Sequence, residues 1–201
     1  MPRPIPLIPA AALLTILITA LSVGCAGTPP ARHFLLEATA AIGQPTPGPR
    51  QTPAVIIDSV QLADYLNRLP IVRRTGDSRL GFDDGIRWAE PLELGFRRVL
   101  ADNLDRLFGA ATVVPSTKAA KSGHSYRLTI EVSRFEIDAD RRAALDARWS
   151  LLPGNGKDGV VRRSQLSLPV AGADTAAEVE ALNRLLADYA AEVKQALRQM
   201  P

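Results

Sequence analysis

Between Tyr126 and Val170 the chain alternates apolar and polar positions in a way that predicts a sheet with one buried face. Tyr126, Leu128, Ile130 and Val132 stand two apart with Arg127, Thr129 and Glu131 between them, and the parity then flips to Phe135 and Ile137. The flip predicts a bulge near Ser133-Arg134, where one extra residue re-aims the strand. Leu145, Ala147, Trp149 and Leu151 alternate again, as do Leu166, Leu168 and Val170 beyond the turn region at Gly154-Asn155-Gly156 and Gly159. These segments read as consecutive antiparallel strands.

Two stretches switch to helical spacing. Pro91 sits where a first helical turn tolerates proline, and Leu92, Phe96, Val99, Leu100, Leu104, Leu107 and Phe108 follow on one face, with Asn103 its one polar member. Gly109 supplies the stop. The second helix begins at Asp174, with Thr175-Ala176-Ala177-Glu178 as a capping box, and repeats Val179, Leu182, Leu186, Tyr189, Val193 and Leu197 or Met200 at helical spacing. A buried large side chain contributes roughly 1.5–3 kcal/mol, so apolar faces of this size need a surface to dock on, and the sheet supplies it.

Upstream, residues 33–36 read as a short first strand and residues 41–53 as a loop or linker, with prolines at 45, 47, 49 and 53. Ala54-Val55-Ile56-Ile57 fits a strand covered on both faces and ended by Asp58. Residues 62–68 suggest a short helix, residues 71–82 a hairpin around Thr75-Gly76-Asp77-Ser78, and Thr112-Val113-Val114 a further strand.

Residues 10–23 form an apolar stretch behind Met1-Pro2-Arg3, closing on Leu21-Ser22-Val23-Gly24-Cys25. That length is short of the roughly 20 residues a spanning helix needs and suits an export signal. Residues 1–24 are therefore expected to be removed. Small residues at the cut followed by the chain's single cysteine resemble a bacterial lipobox, with Leu21 one place further from the cysteine than usual. Cys25 would then carry diacylglycerol on its sulfur and a third acyl chain on its amino group. Ala26 next to it, where aspartate would retain a lipoprotein at the inner membrane, points to the outer membrane. A tether over residues 25–32 reaches about 25 Å at roughly 3.3–3.6 Å per residue, so a single domain from residue 33 to 201 would stay close to its bilayer.

Without the signal, 23 basic and 21 acidic residues leave a charge of +2. Near neutrality and the lack of a basic run with interleaved aromatics argue against a nucleic-acid partner. A single thiol cannot form an internal disulfide, so packing must supply stability. Enzyme chemistry is also poorly provided for. His33 and His124 are the only imidazoles, with no metal-ligand spacing around them; no G-x-S-x-G or phosphate-cradling loop occurs, and Asp83-Asp84 before Gly85 reads as a solvated turn. What stands out is the crowding of Tyr65, Arg68, Arg73, Arg74, Arg79 and Arg87 around Trp88. Trp88 is expected to pack the helix start, and the other six to form a partner-binding surface, since Arg and Tyr are enriched at interaction hot spots.

The blocks Asp58-Ser59-Val60-Gln61-Leu62-Ala63-Asp64-Tyr65-Leu66-Asn67-Arg68, Ile71-Val72-Arg73-Arg74-Thr75, Arg79-Leu80, Arg87-Trp88-Ala89-Glu90-Pro91-Leu92 and Val99-Leu100-Ala101-Asp102-Asn103-Leu104 resemble the PqiC-like ABC-type transport auxiliary lipoproteins. The likeness runs from Cys25 to the end of the chain. It implies a three-layer α/β fold with a mixed sheet of about five strands and a long C-terminal helix. It also implies an outer-membrane lipoprotein without catalysis or cofactor beyond its covalent acyl groups. Its partners would be an MCE-domain (PqiB-like) periplasmic protein, outer-membrane lipid and, as a homo-oligomer, copies of itself, in intermembrane lipid transport and membrane integrity. The alternative is an assembly or chaperone lipoprotein that binds a β-barrel or lipopolysaccharide.

Overall fold

The structure, a computed structural model, describes residues 30–44, 53–115, 125–154 and 159–200. The expected signal, Cys25, most of the proline-rich loop, His124 and the turn at Asn155-Gly156 lie outside the described residues. The chain divides at Pro30, and the unit from Ala31 onward is the folded body.

Strand β5 (Ser125–Ile137) organises the sheet. One of its edges carries β6 (Arg142–Pro153) antiparallel, and β7 (Val160–Pro169) adds to β6 in the same sense. The other edge is shared end to end. Along it β2 (Ala54–Leu62) runs parallel from Ser125 to Val132, while β3 (Pro70–Gly76) meets the far end through one pair, Arg73 with Ile137. A hairpin joins β3 to β4 (Arg79–Trp88), as the turn residues predict, and β1 (Arg32–Phe34) pairs in parallel with the last residues of β4. The α/β class and mixed sheet are as expected, with seven strands where about five were anticipated.

Two bulges set the register of β5 with β6 and with β2. The predicted one falls between Val132 and Arg134, so that Phe135 and Ile137 return to the buried side. A second, between Ile57 and Ser59, turns Asp58 out to Arg127 at 3.3 Å. Asp58 therefore interrupts β2 and does not end it; inward alternation resumes with Val60 and Leu62. The expected helix at 62–68 shrinks to a single 3₁₀ turn, Asp64–Leu66, because β2 has already claimed Leu62. At Thr112-Val113-Val114 only Val113 bridges to Val55; the bonds on either side, Val55 N to Thr112 O and Val114 N to Val55 O, do not extend into a ladder.

Helix α1 (Leu92–Phe108) and helix α2 (Thr175–Gln199) pack on each other and on the same face of the sheet, α1 against β2 and α2 mainly against β6 and β7. Pro91 is the N-cap of α1, and Gly109 ends it with φ 65°, a conformation costly for any side chain bearing Cβ. Asp174 caps α2 by accepting from the Ala177 amide at 2.9 Å. Glu178 does not close the expected capping box, because an arginine from β3 holds its carboxylate.

The two buried asparagines of the helices have a common explanation. Beyond β1 the chain runs without regular structure across the helix pair. The Glu37 amide donates to Asn183 Oδ1 at 3.0 Å, the Ala40 amide to Asn103 Oδ1 at 2.9 Å and the Gly43 amide to the Arg106 carbonyl at 2.8 Å. This strap, lying over the helices, forms an outer layer, and the opposite face of the sheet carries no helix among the described residues. A Cβ at Gly43 would meet the Leu107 carbonyl oxygen at 2.0 Å, so only glycine allows the strap to approach so closely.

Between helices and sheet, Phe96 meets Phe135 edge-on at 5.3 Å, and Tyr189 lies 6.2 Å from both Phe96 and Trp149. Phe96 is fully buried. Phe96→Ala is expected to lower stability by about 3–5 kcal/mol through lost contacts and the cavity left behind. In urea unfolding this should appear as a lower midpoint with an unchanged slope.

Candidate functional site

The six residues singled out in the sequence fall on the β3–β4 ribbon and the turn that leads into it, and the structure sorts them into three groups. Trp88 is only 4% exposed and belongs to the core, as expected.

The first group is built inward. Strand alternation sends Arg73 toward the helices, where Nε and Nη2 donate to Glu178 Oε2 at 2.9 and 2.6 Å, and Nη2 also reaches Thr175 Oγ1 at 3.2 Å. This clasps the ribbon to the first turn of α2, where a carboxylate is also favoured by the helix dipole. Arg74, one residue on, points to the other side and bonds Glu136 through Nε at 2.6 Å and the Asp77 carbonyl through Nη1 at 3.0 Å. Hydrogen bonding to Glu136 raises the Arg74 pKa further above its ordinary value. Glu136 is 1% exposed, and Arg134 approaches the same oxygen at 3.4 Å. Its second oxygen has no hydrogen-bond partner among the described residues. Tyr65 completes this cluster by donating to the Ser133 carbonyl, at the bulge, at 2.9 Å. Burial, and then the nearby Glu136 carboxylate, push its phenol well above the usual range.

The second group is Arg79 alone, exposed at the hairpin turn where Gly76 pairs with Arg79. The third lies at the ribbon's base. Arg68 stacks 5.2 Å from the centre of the Phe82 ring, and Arg87 donates from Nε to the Asp84 carbonyl at 2.7 Å. Asp83 and Asp84 sit in a wide bulge of β4: between the pairs Val72 with Phe82 and Pro70 with Arg87, β4 advances five residues while β3 advances two. They are exposed, and Asp83 Oδ1 accepts from the Gly85 amide, which agrees with a solvated turn interrupting the strand.

On the helix-free face of β5 to β7 the structure adds a cleft of about 480 Å³, lined by Gln61, Glu131, Ser133, Asp146, Arg148 and Arg163 among others. Asp146 takes both Arg163 Nε at 2.9 Å and Nη2 at 2.6 Å, and Gln165 at 3.0 Å. These bonds, from Arg163 first, hold its carboxyl below the usual range. Among the described residues no three His, Cys, Asp or Glu side chains gather as a metal site requires, and no helix is long and apolar enough to cross a membrane.

Comparison with known proteins gives this arrangement a family. Residues 34–194 match the model of the ABC-type transport auxiliary lipoprotein component. The chain belongs to this family. It agrees in fold with a crystal structure of an uncharacterized protein, with a TM-score of 0.66 at 20% identity over 84% of this chain and 99% of that one. Protein XCC0632 from Xanthomonas campestris, of family DUF330, has a TM-score of 0.66 at 21% identity over 81% and 92%. No curated protein matches. The auxiliary-lipoprotein body thus includes both helices almost to the end of α2, the whole sheet beyond Arg32-His33, and every residue of the three groups.

Sequence reasoning found the arginines and missed the acids that hold them. Glu136 occupies a polar position after a parity flip and Glu178 an apparent capping box, so neither differs in pattern from a solvated residue. Arg74→Ala should cost up to about 3–5 kcal/mol, since it leaves the buried Glu136 charge with only the longer Arg134 contact; the double change Arg74→Met with Glu136→Leu should recover most of the loss, as chemical denaturation would measure. The Asp146 pair also predicts a pH dependence. A carboxyl depressed in the fold stabilises above its unfolded pKa of about 3.9 and loses that contribution as pH falls through the folded value. Wild-type stability should therefore fall more steeply below about pH 4 than that of Asp146→Asn.

Proposed function

We propose that this auxiliary lipoprotein is held in the outer membrane by acyl chains on Cys25 and docks a periplasmic MCE-domain assembly there, as a non-catalytic part of a lipid-transport system. The family match over residues 34–194 carries the transport-auxiliary part of this reading. The lipobox-like run into Cys25, with Ala26 beside it, supports the anchor and the destination.

For docking, the support is the asymmetry of the sheet. The helices seal one face with a continuous core, whereas the other presents Arg127, Glu131, Arg148 and Arg163, charged and exposed around an open cleft. Among the five arginines and one tyrosine expected at the interface, Arg79, exposed at the turn of the ribbon, is the member assigned to this surface. Arg73, Arg74 and Tyr65 serve it by holding the ribbon in place. A surface of exposed, mixed charge steers and orients a partner more than it adds raw affinity.

The double variant Arg79→Glu with Arg148→Glu tests the reading. Co-purification of the MCE-domain partner should drop at least tenfold while the unfolding midpoint stays at the wild-type value. Unchanged recovery, or crosslinking to a β-barrel protein instead, would reject the docking assignment. Cys25→Ser should abolish incorporation of labelled fatty acid and remove the protein from the outer-membrane fraction.

A further inference from the structure

The base of the β3–β4 ribbon carries an apolar surface that neither the core nor the proposed docking face uses. Leu35 and Leu69 are each 48% exposed and Phe82 is 44% exposed. Backbone bonds place two of them: the Ala89 amide donates to the Phe34 carbonyl at 2.8 Å and the Trp88 amide to the Leu69 carbonyl at 2.7 Å, so Leu35 and Leu69 flank the end of β4 from its two sides. Phe82 lies a few residues back along the same strand, opposite Val72, with the Arg68 guanidinium over its ring.

Around these apolar groups stand Arg32, Arg68 and Arg87, and His33 pairs in register with Arg87. Acids stand beside them too: Asp83 and Asp84 in the bulge, with Asp84 3.8 Å from Arg87, Glu90 held by Arg98 at 2.5 Å, and the exposed Glu37 two residues from Leu35. Exposed leucines and a phenylalanine ringed by arginines match the chemistry of a headgroup layer, in which apolar tips enter the acyl boundary and guanidinium groups meet phosphate. Position along the chain favours the same occupant. The chain enters the folded body at β1, directly beside Arg87, and six residues separate Cys25 from Arg32.

We propose that the base of the ribbon, Leu35, Leu69 and Phe82 with Arg68 and Arg87, is a membrane-contact surface that seats the body on the headgroups of an anionic phospholipid leaflet. This rests on the anchor at Cys25 and is independent of the docking assignment. Contact at a second point would restrict rotation of the body about its tether and hold the charged sheet face at a fixed angle to the bilayer.

The full acylated lipoprotein can report this directly, because its one native thiol is occupied by lipid. An environment-sensitive fluorophore is placed on Leu69→Cys or, as a control on the charged face, on Arg148→Cys. Each protein is reconstituted in vesicles of phosphatidylethanolamine and phosphatidylglycerol at 3:1. The label at position 69 should shift to the blue and be quenched by doxyl lipids at least threefold more than the label at 148. Phe82→Asp, or neutral vesicles of phosphatidylcholine, should halve that difference. Equal quenching at the two positions would overturn the proposal, as would a protein that does not float with the vesicles. Shielding at position 69 only after an MCE-domain protein is added would identify the patch as a protein interface, ending this proposal while leaving docking intact.

Discussion

Strand β5 has two edges and three strands to serve, and most of the architecture follows from how it divides them. One edge takes β6 along its whole length. The other must hold β2 and then β3, and the two arrive at opposite ends because a turn and four further residues separate them. The bulge at Ser133 sits where the first occupant leaves. It restores Phe135 and Ile137 to the core and frees the Ser133 carbonyl for Tyr65, which lies in the turn between the two occupants. A single local irregularity thus keeps the hydrophobic face continuous and marks where the chain changes partners.

Because β3 joins β5 through one residue pair, backbone bonding alone is a weak attachment for the ribbon. The side chains flanking that pair supply what the ladder lacks. Arg73 reaches up to α2 and Arg74 down to Glu136, so consecutive residues on opposite faces of one strand fasten it to two layers. Both pairs are charge-assisted, short and largely shielded from water, the circumstances in which losing one partner is costly. This explains why arginines that look interfacial in the sequence are occupied internally, while Arg68, Arg79 and Arg87, further from the attachment, face outward.

The elements with long, unbroken periodicity were legible from the residues: both helices, the hairpin, β5 with its bulge, and β6 and β7. Their pattern is fixed by one buried face and needs no knowledge of the partner. Less legible were features decided between distant segments. Asp58 looks like a strand end because a bulge and a terminus present the same polar residue after an apolar run. Asn103 reads as a lone polar intruder in a helix face and Asn183 as an ordinary polar position, because the amides they accept come from the distant strap beyond β1. At the candidate site the arginines were visible and their acids were not, since a buried carboxylate is recognisable only by what surrounds it.

The strap has a mechanical implication. It follows β1 in the chain, and its bonds to Asn183, Asn103 and Arg106 are spread across both helices. Tension arriving from the N-terminal side would first load the edge strand β1 and its three pairs with β4, and then this series of contacts, so it would be shared between α2 and α1 before β2 to β7 were disturbed. A tug on the tether would peel the edge strand and the strap, with Leu36, before it reached the rest of the core.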